Sequence, residues 1–163
     1  MLMIGDETHL AALFVLDDDI PVEIINEVLE KVYEESGVYH LWIADDTPGR
    51  FSSDHDEATV PPVSPEWQSP FAVLTIQGAF EFISSLPTDT QVTMNGTYIV
   101  VLNKNLYLTK DWIMVCKIDE EGTITTAPSA AKNPVLYFDS LSWYLWPKYL
   151  ERWLIEGKPF LRQ

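Results

Sequence analysis

His9–Pro21 reads HLAALFVLDDDIP, and how this stretch is read decides the fold. From Leu10 to Leu16 no polar side chain interrupts the run, and Asp17, Asp18 and Asp19 follow at once. A short apolar run without alternation, closed by acids, is the pattern of a buried strand. A helix then begins. Asp18 or Asp19 suits the N-cap, Pro21 the first turn, and Gly37 the stop, so the expected helix covers residues 20–36. At about 100° per residue, Val22, Ile25, Leu29, Val32 and Tyr33 share one face, while Glu23, Glu27, Glu30 and Glu34 form a narrow stripe on another. Val38–Ala44 (VYHLWIA) reads as a second strand, again closed by acids, Asp45 and Asp46. A right-handed β-α-β unit would end both strands at one edge of the sheet.

Working outward, residues 45–70 hold Pro48, Pro61, Pro62, Pro65 and Pro70 with six acids, which predicts an irregular surface loop. Phe71–Ile76 suits a strand and Gly78–Leu86 a short helix, with one longer helix from Pro70 as the rival reading. Beyond Pro87 the signals are those of hairpins. Asn95-Gly96 between Gln91–Met94 and Thr97–Leu102 predicts a tight turn, because both residues tolerate positive φ. Leu106–Thr109, Trp112–Ile118 and Thr123–Thr126 suggest further antiparallel strands, the last two joined at Asp119–Gly122. APSAAKNP (residues 127–134) looks like a small-residue linker. It leads to SWYLWPKYLERWL, Ser142–Leu154, which carries three of the six tryptophans. On a helix, Trp143, Trp146, Leu150, Trp153 and Leu154 share one side and predict docking on a sheet. Tyr144, Leu145, Tyr149 and Ile155 fall outside that side, an apolar fringe suited to an interface or a homo-oligomer. Pro147 either kinks this helix or opens a second one. The expected fold is α+β: a mixed sheet of five to seven strands with an N-terminal β-α-β unit, antiparallel hairpins and a C-terminal aromatic helix. At 163 residues the chain suits a single domain, 1–163.

Charge divides the chain. Residues 1–81 carry 17 acids against Lys31 and Arg50, whereas residues 82–163 carry 8 acids and 8 bases, so the first half holds the entire net charge of −15. Such a field repels nucleic acid and anionic membrane and steers toward basic partners. No run reaches the ~18 apolar residues of a membrane span. The start, MLMIGDETHL, lacks a basic leader pattern. With a single cysteine, Cys116, in an apolar stretch, the expectation is a cytoplasmic protein.

Three groups of residues are candidates for function. Asp17, Asp19 and Asp45 or Asp46, at neighbouring strand ends, are oxygen ligands of the kind Mg²⁺ takes. LFVLDDDIP resembles the first strand of response-regulator receiver domains and the Asp-x-Asp of haloacid-dehalogenase-like phosphatases. That resemblance implies Mg²⁺-dependent phosphoryl chemistry, but it covers this stretch alone. Ile20, not threonine, follows Asp19, and no phospho-acceptor strand end occurs near residue 55. Asp54, His55, Asp56 and Glu57 form a second, loop-borne group without zinc-like spacing elsewhere. No P-loop, Gly-rich dinucleotide fingerprint or nucleophile elbow is present. The third group is the stripe Glu23, Glu27, Glu30 and Glu34, with Asp45, Asp46, Tyr144 and Tyr149 as further partner-binding residues. The leading expectation is a non-enzymatic acidic binding protein, an inhibitor or immunity-like factor docking on a basic protein, with no catalytic residue and no cofactor. The alternatives are a Mg²⁺-dependent phosphoryl-transfer or hydrolase domain using Asp17, Asp19 and Asp45, and a structural subunit of a larger assembly.

Overall fold

A computed structural model describes residues 10–36, 39, 41–45, 58–72, 74–86, 94–132 and 145–158. Five strands form one mixed sheet in the order β2-β1-β3-β4-β5. They are β1 (Leu10–Val15), β2 (Leu41–Ile43), β3 (Met94–Leu102), β4 (Trp112–Ile118) and β5 (Ile124–Ala130). Among the described residues four helices accompany them: α1 (Val22–Ser36), α2 (Ile76–Ser84), α3 (Lys104–Lys110) and α4 (Leu145–Glu156). β1 runs parallel to both β2 and β3, and α1 joins β1 to β2. β3, β4 and β5 are successively antiparallel. The fold is α+β, with the expected β-α-β start and C-terminal aromatic helix.

The uninterrupted β1 run has its reason in the layers. Ala11, Leu13 and Val15 face a core shared with Ile25, Val28, Leu29 and Val32 of α1. Ala12 and Phe14 face the other way, onto Ala79, Phe80 and Ile83 of α2 and onto Phe71. A central strand covered on both sides has no solvent face, so period-two alternation never appears. Phe14, Phe71 and Phe82 pack ring on ring, with centroids 4.7 to 6.2 Å apart.

Four sequence expectations are corrected. Asn95-Gly96 is not a hairpin turn, because β3 runs through it. Between the Leu10–Met94 and Ala12–Ile99 pairs β1 advances two residues and β3 five, so Asn-Gly lies in a bulged stretch. Gly96 does not take the positive φ a tight turn would need. Leu106–Thr109 is not a strand but the body of α3. Asn103 caps that helix, its side chain accepting from the Leu106 N–H at 2.9 Å, and Asp111 ends it in the left-handed conformation at φ 62°. Residues 127–130 are not a linker but the end of β5, with Pro128 in the ladder opposite Met114. β5 lies at the edge of the sheet, the place where proline is tolerated. Phe71–Ile76 is not a strand, because Phe71 and Ala72 lie in a turn and Ile76 already opens α2. Thr75 then caps α2, accepting from the Gly78 N–H at 3.0 Å.

Other details agree with the sequence reading. The β4–β5 connection uses Gly122 at φ 85°, which glycine alone adopts without strain. Pro147 is the third described residue of α4, and the helix continues past it to Glu156. Gly157, at φ 66°, ends that helix. The proline-rich segment is not all surface. Thr59 donates to the Leu41 carbonyl at 2.8 Å, and its hydroxyl accepts from the Ile43 N–H at 2.8 Å, so the outer edge of β2 is covered. Val63 is buried below this strap and donates through its N–H to Asn26 at 2.7 Å.

Candidate functional site

α1 buries Ile25, Val28, Leu29 and Val32, and this places Glu23, Glu27, Glu30 and Glu34 in solvent. The four glutamates do not share one environment. Glu27 accepts from the Tyr107 hydroxyl at 2.8 Å and pairs with Lys31 at 3.1 Å. The Tyr107 bond first, and Lys31 second, hold its carboxyl below the usual range. Lys31 also pairs with Asp111 and lies 4.7 Å from the centre of the Tyr107 ring. Partial burial works against the Lys31 charge. Its bonds to Asp111, Tyr107 and Glu27 outweigh that, and its pKa stands above the ordinary lysine value. Glu34 pairs with Lys132 at 3.4 Å, with both side chains half exposed. Glu30 accepts from the Tyr39 hydroxyl at 3.3 Å, and Tyr39 stacks on Tyr33 at 4.5 Å. Glu23 and Glu30 meet no lysine or arginine among the described residues.

The stripe is therefore partly internalised at Glu27, loosely countered at Glu34, and open at Glu23 and Glu30. One lysine serves both Glu27 and Asp111, so that cluster stays net negative. Residues 10–36 carry eight acids with Lys31 as the sole base, and the described lysines that reach them do not cancel the excess.

At the carboxyl edge of the sheet the acids stand apart. Asp17 accepts from the Lys104 backbone N–H at 3.1 Å. Asp19 pairs with the Lys104 ammonium at 2.9 Å, and that bond holds its carboxyl below the usual value. Asp45 is buried and accepts from the Trp67 indole N–H at 3.1 Å. Strand direction brings all three to one edge, yet each is taken by a different donor. No three His, Cys, Asp or Glu side chains among the described residues stand close enough together to hold a metal ion.

The aromatic helix is corrected at two positions. Leu154, expected to dock, is 71% exposed, whereas Tyr149, expected on the fringe, packs against the core with Leu150 and Trp153. Trp146 is buried edge-on to Tyr98 at 5.6 Å, and its N–H reaches the Thr125 hydroxyl at 3.0 Å. The docked face is thus Trp146, Tyr149, Leu150 and Trp153, rotated toward β4 and β5, where Trp153 meets Trp112 at 5.9 Å. Ile155, 73% exposed, stays on the fringe. Cys116 is buried, and burial pushes its thiol up to about 12, which leaves it un-ionised and unreactive. Asp46, Asp54, His55, Asp56, Glu57, Trp143 and Tyr144 lie outside the described residues.

Sequence reasoning missed Lys31, Lys104, Trp67 and Tyr107, the groups that hold the acids, and Asp111, a further acid that Lys31 holds. Tyr107 and Asp111 lie roughly 80 residues from α1, so only their polarity within an otherwise apolar hairpin region hinted at a role. No helix of the described residues is long and apolar enough to cross a membrane. With this geometry in hand, comparison with protein-family models, with curated proteins and with solved structures finds no match to the chain.

Proposed function

We propose that this chain is a non-enzymatic binding protein, of inhibitor or immunity type, that acts in the cytoplasm by docking its α1 face on a basic protein. One observation carries the reading. α1 turns four carboxylates to solvent beside the stacked Tyr33–Tyr39 pair, and two of them, Glu23 and Glu30, have no lysine or arginine of the described chain beside them. Like charges so spaced cost an isolated helix a few tenths of a kcal/mol per pair, a cost that a cationic partner relieves. Long-range attraction would speed encounter, and the tyrosine pair would supply the slow-release contact. Glu27, held by Tyr107 and Lys31, supports the rim rather than the contact.

The test is affinity capture by the native chain and by a Glu23→Lys/Glu30→Lys variant, at low and high salt. A basic protein held at low salt, and bound roughly tenfold more weakly by the variant, supports the reading. Capture indifferent to both salt and the substitutions would sink it.

A second reading has one observation in its favour. Leu154 and Ile155 leave adjacent apolar side chains on the outer face of α4, more than two thirds exposed. A second copy of the chain would cover them, giving a homo-oligomer or a subunit of an assembly. A concentration-independent monomeric mass in light scattering would exclude it.

A further inference from the structure

β1 and β3 are hydrogen-bonded neighbours with helices packed on both faces of the sheet. α1, which follows β1, packs on one face, and α2, which precedes β3, packs on the other. Strand order reverses at this point, in the sequence β2-β1-β3. The helix that leaves the carboxyl end of β3 is α3, whose Tyr107 joins the α1 side of the core, whereas Leu16, Val101 and Met114 at this end of the sheet face the α2 side.

A crevice of about 550 Å³ lies there. It is lined by Leu16 and Asp17, which follow β1, and by Asn103, which follows β3, while Val101 of β3 and Met114 of β4 supply an apolar floor. Thr109 and Lys110 at the end of α3, with Trp112 at the start of β4, also line it. The volume is that of a small-molecule site, and apolar carbon dominates the lining, as such sites require. Asp17, Asn103, Asn105, Thr109 and Lys110 bring polar groups to the lining. Asp17 is half-buried and steadied by the Lys104 N–H at 3.1 Å, so its carboxylate is fixed against the apolar floor. Lys104 directs its own ammonium away, to Asp19.

We infer that this crevice is a binding site for a small flat molecule of one or two rings that carries an amine or another N–H donor. The apolar floor takes the rings, and Asp17 takes the donor. Lys110 lies 5.8 Å from the centre of the Trp112 ring, and the chain's net charge of −15 tells against an anionic ligand. The site is separate from the α1 glutamate face and does not depend on the protein-docking reading.

The probe is tryptamine, with indole and indole-3-propionate as neutral and anionic counterparts. The readout is the ¹³C-methyl signal of Met114, one of only four methionines. Tryptamine is expected to shift it saturably, and to bind roughly tenfold more tightly than indole-3-propionate through its charge-assisted bond. Thr109→Trp, which fills the mouth from the exposed side of α3, is expected to abolish the shift while thermal melting shows an unchanged fold. Asp17→Asn keeps an acceptor for the Lys104 N–H and is expected to remove the preference for the amine. The inference is overturned if the Met114 methyl does not respond to millimolar tryptamine, or if the response survives in folded Thr109→Trp. An undiminished preference for tryptamine in Asp17→Asn would equally overturn the assignment of the donor to Asp17.

Discussion

The parallel and antiparallel halves of the sheet are covered differently. Over β1 and β2, side chains on both faces are buried, by α1 on one side and α2 with Phe71 on the other. Over β4 and β5, α4 and Trp146 close one face, while on the other Met114, Ile118 and Ile124 are only partly buried. The parallel half is therefore an interior slab. The antiparallel half is a sheet with one working surface, and the crevice lies where the two meet. The difference teaches that one sheet can bury both faces of its parallel strands and still leave apolar side chains partly exposed on its antiparallel ones.

The largest expected effect tests the slab directly. Phe14→Ala removes a fully buried ring that contacts Phe71 and Phe82, and should cost about 3–5 kcal/mol in denaturant unfolding. Met114→Ala, on the half-open face, should cost clearly less, about 1 kcal/mol. Equal losses would break the comparison.

A smaller effect concerns the link between α1 and α3. Tyr107→Phe deletes the 2.8 Å bond to Glu27 and should cost about 1 kcal/mol at neutral pH. Because the folded Glu27 pKa lies below its ordinary 4.5, the stabilisation is present above that value and is lost as pH falls through the folded pKa. The gap between native chain and variant should therefore narrow in acid, below about pH 4.5, in melts across a pH series. A gap independent of pH would mean that Tyr107 stabilises by packing alone.

Turn chemistry gives the smallest effects and the sharpest contrast between glycines. Gly122→Ala forces a side chain onto φ 85° and should cost about 1 kcal/mol. Gly96→Ala meets open space at an ordinary φ, and should change stability by less than about 0.5 kcal/mol. A loss at Gly96 as large as at Gly122 would restore the hairpin in place of the bulge.

Legibility followed the same division between halves. β1, α1 and β2 could be read because their signals are local: an unbroken apolar run, an acid and proline at the helix start, and glutamates opposite the apolar face. The α3 region could not be read that way. Leu106-Tyr107-Leu108-Thr109 has strand-like composition, and its helix depends on Asn103 as cap, on Asp111 at positive φ, and on Tyr107 reaching across to Glu27. Pro128 looked like a linker residue until β5 proved to be an edge. At the candidate site, the sequence located the acids but not their partners. Lys104, Tyr107 and Trp67 come from distant parts of the chain and are brought in by tertiary packing, whereas Lys31 stands on α1 itself, one turn from Glu27.

By itself, then, the amino-acid sequence determined the α+β class, the acidic first half, the α1 stripe and the aromatic helix, since composition and helical or strand period act within a few residues of chain. Only the tertiary structure decided which carboxylates remain open, which face of α4 is buried and where a crevice forms. Those outcomes depend on contacts between elements up to 80 or more residues apart, whose pairing is set by sheet order and packing rather than by local preference.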